Sequence, residues 1–142
     1  MIYTKDTRKA MTLAYAVHNG QLDKSGVPYI FHPITVAESM ETEDEIIVAL
    51  LHDTIEDCGV TKEYLAAAGF SRDVVEAVEA MSKRKGETYD EYIARVKTNR
   101  IARKVKIADL KHNMDLTRLI EVTEQAEKRV NKYKKALEVL NE

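Results

Sequence analysis

The apolar run IIVALL ends on His52 and Asp53, so an imidazole and a carboxylate stand where a plain helical core would carry neither. A buried carboxylate without partners is costly, and something must compensate it. A backbone carbonyl and one ion pair would satisfy an isolated His-Asp pair, but this pair is not isolated. Glu56 follows His52 by four residues and Asp57 follows Asp53 by four, the spacing that puts each pair on one face of a helix. Asp109 and Asn113 repeat that spacing in a later segment otherwise rich in Lys and apolar residues, a second polar face able to oppose the first. Imidazoles combined with carboxylates suit Mn(II), Fe(II), Co(II) or Zn(II) better than Ca(II) or Mg(II), which prefer all-oxygen shells. The residues alone do not choose among those metals. The chemistry such a set supports is hydrolysis by a metal-activated water, with nearby carboxylates moving its proton.

The elements that must position these groups are helical. Ala10, Leu13, Ala14 and Val17 share a face of a first helix that runs to about His18 and stops at Gly20. Pro33 opens a second helix reaching Met40, which places His32 at its entrance. Thr42 with Glu45 forms a capping-box pattern, so a strongly apolar central helix should run from there to about Cys58-Gly59. Thr61 and Ser71 cap two shorter helices separated by Gly69, KRKGE is a loop, and Thr88 with Glu91 caps the next helix. From Arg100 to Met114, Ile101, Val105 and Ala108 keep helical period; the alternation in KVKIA could be a strand, but nothing supplies a partner strand. A long surface helix from about Thr123 to Leu140 closes the chain.

The bulk properties agree with one helical domain over residues 1–142, with 44% hydrophobic residues to build its core. Cys58 is the only cysteine, which excludes an intrachain disulfide, points to a reducing cytoplasmic setting, and gives no reason to invoke a thiol nucleophile. The start MIYTKDTRKAM is charged and no apolar run exceeds a few residues, so neither a signal peptide nor a membrane span is expected. A formal charge of −2 offers no general attraction to nucleic acid or to an anionic membrane, and an anionic ligand must be met locally.

Three segments, HNGQLDKSGVPYIFHP, LLHDTIEDCG and VKIADLKHNM, resemble in order and spacing the hydrolase domain of the RelA/SpoT family and its single-domain relatives, including the animal SpoT-homologue hydrolases. The resemblance implies an all-α HD-type bundle of about eight helices, one divalent metal, most often Mn(II), and removal of the 3′-pyrophosphate from guanosine tetra- and pentaphosphate. It implies metal ligation by His32, His52, Asp53 and Asp109, and catalytic duty for the acidic pair Glu56 and Asp57. Lys24 and Asn113 match residues beside the nucleotide, and Arg129 with Tyr133 resembles an Arg-Tyr pair that contacts phosphate in the animal enzymes.

The chain departs from the family at Asp23, where an arginine associated with stacking on guanine is usual, and at MDLTRL, where an MR-T pattern is common. An aspartate offers no planar cation. It would repel phosphate if turned inward and do little if turned to solvent. Those departures leave room for another phosphorylated nucleotide, such as an adenine dinucleotide carrying a 2′- or 3′-phosphate. A module that binds a nucleotide and turns nothing over should have lost part of the acidic pair or a ligand, and neither is lost. No segment resembles a synthetase region, so degradation alone is expected.

Overall fold

The computed structural model describes residues 1–142, with nine α-helices, one 3-10 turn and no strand: α1 Lys5–Val17, α2 Phe31–Glu38, α3 Glu43–Leu51, α4 Thr54–Cys58, α5 Lys62–Ala67, α6 Arg72–Ala80, α7 Tyr89–Lys97, α8 Arg100–Asn113, the turn Leu116–Arg118, and α9 Glu124–Asn141. None of these helices is long and apolar enough to cross a membrane. The segment over KVKIA is helical. The capping boxes at Thr42/Glu45 and Thr88/Glu91 are present, and Thr61 and Ser71 cap α5 and α6 as their positions suggest. α2 begins at Phe31, ahead of Pro33, which the fold tolerates because the first turn of a helix needs no backbone donor.

α3 is the axle. Ile46 to Leu51 are all 2% exposed or less, and α1, α2, α6 and α8 pack around them. A helix that is apolar on every side belongs inside the bundle, and its last residue delivers the chain to His52.

The expected single helix from Thr42 to Cys58 is broken at His52-Asp53, and the break accounts for the ninth helix. His52 Nδ1 donates to the Ala49 carbonyl at 2.6 Å and Thr54 Oγ1 donates to the Leu51 carbonyl at 2.8 Å. These are carbonyls a continuing helix would give to backbone N–H groups, so the side chains compete with the ladder. Asp53 sits at φ −103° and ψ 1°, outside the helical well, and α4 restarts after it.

Two loops reach residues beside the break, one through Tyr29 on Asp53 and the other through the Lys83 N–H on Glu56. Between α1 and α2 the chain doubles back through an antiparallel bridge between Leu22 and Pro28, with Gly26 at φ +83° making the turn. Between α6 and α7, residues 81–88 are pinned by Arg95, which donates to the carbonyls of Ala80 at 3.1 Å and Ser82 at 2.8 Å and forms a two-point pair with Glu87. The Arg95 guanidinium and the Arg84 backbone N–H hold the Glu87 carboxyl down at about 2. Arg95→Met should lower the melting temperature by roughly 3–6 °C at neutral pH, since several charge-assisted bonds go at once. Because the Glu87 pKa is depressed on folding, its share is present above the ordinary carboxylate pKa and is lost as pH falls toward about 2. Wild-type melting at pH 7 in the variant would mean that the loop is held by something else.

Candidate metal centre and substrate cleft

His32, His52 and Asp109 come from α2, the end of α3 and α8, and their ligand-type atoms all lie within 4.8 Å of one another in the buried interior. His32 Nε2 is 2.8 Å from Asp109 Oδ1, and His52 Nε2 is 3.4 Å from the same oxygen. Asp53 joins at the edge, with Oδ2 3.1 Å from His52 Nε2.

The donor chemistry fits a divalent metal on an observation internal to the cluster. His52 gives Nδ1 to the Ala49 carbonyl, so Nε2 is the nitrogen left to face the carboxylates, and it is buried without an aligned hydrogen bond. Burial opposes a charge on His52, yet Asp53 and Asp109 outweigh it and raise its pKa well above the ordinary value. Two carboxylates facing two imidazoles favour a cation at that point, and the buried Nε2 without a hydrogen bond is a nitrogen that a metal ion could take as ligand.

Supporting groups surround the cluster. Tyr29 donates its hydroxyl to Asp53 Oδ2, and burial together with that carboxylate pushes the phenol pKa up, so it remains a donor. Lys106 pairs with Asp109 Oδ2 at 2.8 Å; burial works against its charge, but Asp109 prevails and raises its pKa. His112 stacks on His32 with the two Nδ1 atoms 2.7 Å apart. Burial, then Arg118 and His32, lower the His112 pKa to about 4, so this ring is neutral. A neutral His112 offers a lone pair to a proton on His32 Nδ1, the tautomer that frees His32 Nε2 toward Asp109.

The acidic pair lies on α4, which restarts after the break at Asp53, and not on one unbroken helix with His52. Glu56 and Asp57 are at the solvent edge, where Glu56 Oε1 accepts the Lys83 N–H at 3.3 Å and Asp57 turns toward Gln21. Both still feel the centre. Burial first, then the Asp53 charge, raises each carboxyl pKa, with the Lys83 N–H opposing this at Glu56 and Gln21 at Asp57.

A cleft of about 310 Å³ adjoins the cluster and is lined by Lys24, Asn113, Arg129 and Tyr133 together, along with Tyr29, Asp23 and Arg118. Tyr29 and Asn113 are the shared wall: Tyr29 reaches Asp53, and Asn113 Nδ2 donates to Asp109 Oδ1 at 3.0 Å. Burial and the neighbouring Arg129 lower the Lys24 pKa, so two cations face one space. Asp23 lies on the cleft side, the inward of the two expected orientations, with Oδ2 3.8 Å from Arg118 Nη2. Its Oδ1 accepts the backbone N–H groups of Ser25 at 2.8 Å and Val27 at 3.0 Å, which fixes it to its own loop.

Spacing arguments missed Tyr29, Lys106, His112 and Arg118. Lys106 and His112 lie three residues before and after Asp109, a helical signal that was available. Tyr29 sits inside the PYI-x-HP motif, whereas Arg118 belongs to a 3-10 turn that leaves no periodic signature.

An all-helical bundle with buried histidines and aspartates converging beside a cationic cleft defines a metal-site protein of the HD type. The sequence profile described as the HD domain matches residues 10–137, and the chain belongs to that family. It is 46% identical over 80 residues to the guanosine-3′,5′-bis(diphosphate) 3′-pyrophosphohydrolase of Vibrio cholerae, covering 54% of this chain and 11% of that one. It is 35% identical over 126 residues to the bifunctional (p)ppGpp synthase/hydrolase SpoT of Escherichia coli, covering 78% and 18%. A probable GTP pyrophosphokinase of Mycobacterium leprae is 32% identical over 146 residues, covering 94% and 18%. The chain thus spans less than a fifth of the length of these relatives. Among solved structures, a metazoan orthologue of SpoT described as hydrolysing ppGpp superposes with a TM-score of 0.78 at 22% identity, over 99% of this chain and 87% of that one, which establishes the shared fold.

Proposed function

We propose that this chain is a metal-dependent phosphohydrolase of phosphorylated nucleotides, with guanosine 3′,5′-bis(diphosphate) as its first substrate and the 3′-pyrophosphate as the group removed. The observation that carries the reading is the shared wall: Tyr29 and Asn113 touch the buried His-Asp cluster on one side and line the cationic cleft on the other. His32, His52, Asp53 and Asp109 hold the metal, with Mn(II) the first choice among Mn(II), Fe(II), Co(II) and Zn(II). When bound, the ion supplies Lewis acidity toward the phosphate and makes a coordinated water more acidic.

The residues of the chain do the rest. Glu56, with a pKa raised by burial and by Asp53, accepts the proton of the attacking water, and Asp57 helps to orient that water. The water oxygen bonds to phosphorus, the P–O3′ bond breaks, and the 3′ oxygen leaves as a hydroxyl with the proton that Glu56 took from the water. Asn113 and Lys24 orient the leaving nucleotide, while Arg129 and Tyr133 bind its phosphate from α9. Lys106 keeps Asp109 ionised, and Tyr29 does the same for Asp53. The absence of an arginine at Asp23 supports a second reading in which the nucleotide carries adenine.

Metal content by elemental analysis, followed by a phosphate and pyrophosphate release screen over guanosine and adenosine 3′-phosphorylated nucleotides, tests this function. Release from none of them by the Mn(II)-loaded protein would reject it. Since the ligands come from three helices, metal loading should also raise the melting temperature, with about 4 kcal/mol of stabilisation at roughly a thousand times the dissociation constant. Identical melting of metal-free and verified metal-loaded protein would argue against ligation by these four residues.

A further inference from the structure

The cleft contains a third cation whose donors are only partly used. Arg118 is 24% exposed and is held at one end, where Nη1 donates to the His112 carbonyl at 3.0 Å and to Asn113 Oδ1 at 3.3 Å. Nη2 faces Asp23 Oδ2 at 3.8 Å, too far for a hydrogen bond, and the cleft lies beside it. A guanidinium offers five N–H donors, so most of this fork remains free. Both carboxylates that share the cleft are otherwise engaged: Asp23 Oδ1 with Ser25 and Val27, Asp115 Oδ1 with Thr117. Ser25 Oγ donates to the Arg118 carbonyl at 2.9 Å, which anchors the 22–28 loop to the turn through the backbone.

The bond to Asn113 has a directional effect. Arginine only donates, so Asn113 presents its oxygen to Arg118 and turns its NH2 toward Asp109 Oδ1 at 3.0 Å. The residue that faces the ligand at one end therefore also fixes the amide standing between the cleft and the His-Asp cluster.

We propose that Arg118 is a substrate-binding residue whose free Nη2 and Nε donors take up a phosphate oxygen remote from the His-Asp cluster, beside Lys24 and Arg129, and that Asp23 is its built-in competitor. The proposal rests on the nucleotide reading above and assigns the group that selects the remote phosphate. On binding, Arg118 exchanges a 3.8 Å pair for a short charge-assisted bond to the ligand, while Asp23 stays bonded to its own loop. A ligand must offer more negative charge than the carboxylate already present, which favours a diphosphate over a monophosphate.

Calorimetric titration of the full Mn(II)-loaded chain with guanosine 5′-diphosphate, guanosine 5′-monophosphate and guanosine tests the assignment. Affinity should fall in that order. Arg118→Met should weaken the diphosphate by roughly tenfold or more and leave guanosine unchanged. Asp23→Asn keeps an oxygen for Ser25 and Val27 but removes the charge, and should tighten the diphosphate by roughly threefold while narrowing its lead over the monophosphate. That gain should vanish in the double variant. Arg118→Lys, which retains a cation, keeps part of the affinity and serves if Arg118→Met does not fold. Wild-type diphosphate affinity in Arg118→Met, or an Asp23→Asn gain that survives without Arg118, overturns the proposal. Release assays on the same proteins separate it from the hydrolase reading: binding that depends on Arg118 without turnover rejects only the hydrolase, and turnover with binding indifferent to Arg118 rejects only this assignment.

Discussion

Asp109→Asn is expected to remove bound metal, to reduce phosphate release by on the order of a thousandfold or more, and to lower the melting temperature as well. All three effects start from one carboxylate. Asp109 is 4% exposed and its carboxylate meets His32 Nε2 at 2.8 Å, Lys106 Nζ at 2.8 Å and the Asn113 amide at 3.0 Å. Burial opposes its ionisation, but Lys106 and His52 outweigh burial and hold its pKa well below the ordinary range. An amide in its place leaves the buried Lys106 ammonium without a counter-charge, and breaking a buried pair typically costs about 3–5 kcal/mol. With all proteins compared metal-free, adding Lys106→Met should restore melting without restoring metal binding or activity, a separation that a purely catalytic role for Asp109 would not produce. The pH dependence follows from the depressed pKa: the Asp109 contribution is present above the unfolded carboxylate pKa and is lost as pH falls through the lower folded value. Wild type should therefore lose more stability on acidification than Asp109→Asn. Full metal content and turnover in Asp109→Asn would sink both the ligand set and the reaction assigned to it.

Glu56→Gln should do the opposite, keeping the metal and the melting temperature while lowering kcat by on the order of a hundredfold. The carboxamide oxygen still accepts the Lys83 N–H, which Glu56 accepts at 3.3 Å, so the contact with the 81–88 loop survives. What is removed is the proposed base, a carboxyl whose pKa is raised by burial first and then by Asp53. Steady-state kinetics beside elemental analysis checks the split, and unchanged kcat would dismiss Glu56 as proton acceptor whatever the metal result.

The helices were legible because their signals are local. Thr42/Glu45, Thr88/Glu91, Thr61 and Ser71 announce starts through side-chain bonds within one turn, and those bonds form. The HD motif likewise names residues that three different helices bring together, and His32, His52 and Asp109 do converge. The kink at His52-Asp53 was hidden, since polar residues at these positions are equally compatible with one face of a continuing helix and the interruption comes from His52 Nδ1 and Thr54 Oγ1 capturing carbonyls. The same break puts Glu56 and Asp57 on a short helix separate from the one that ends at His52, which no periodicity argument on an unbroken helix could foresee. Arg118 escaped for a related reason: its partners Asp23 and Ser25 are more than ninety residues away, and only the folded chain makes them neighbours.

The axial position of α3 has a consequence for how this gene can vary in length. Each residue added to or removed from a helix turns everything after it by about 100°. Within Glu43–Leu51, substitutions that conserve volume leave His52 where it is. A single-codon insertion or deletion there would carry His52 and Asp53 around the axis and away from His32 and Asp109, whose positions are set by other helices. The exposed residues Lys85 and Gly86 in the loop between α6 and α7 have no such phase to keep. The nine residues of α3 therefore act as a ruler, and drift in this chain should accumulate as exchanges of side chain along it and as changes of length in loops that carry no site residue.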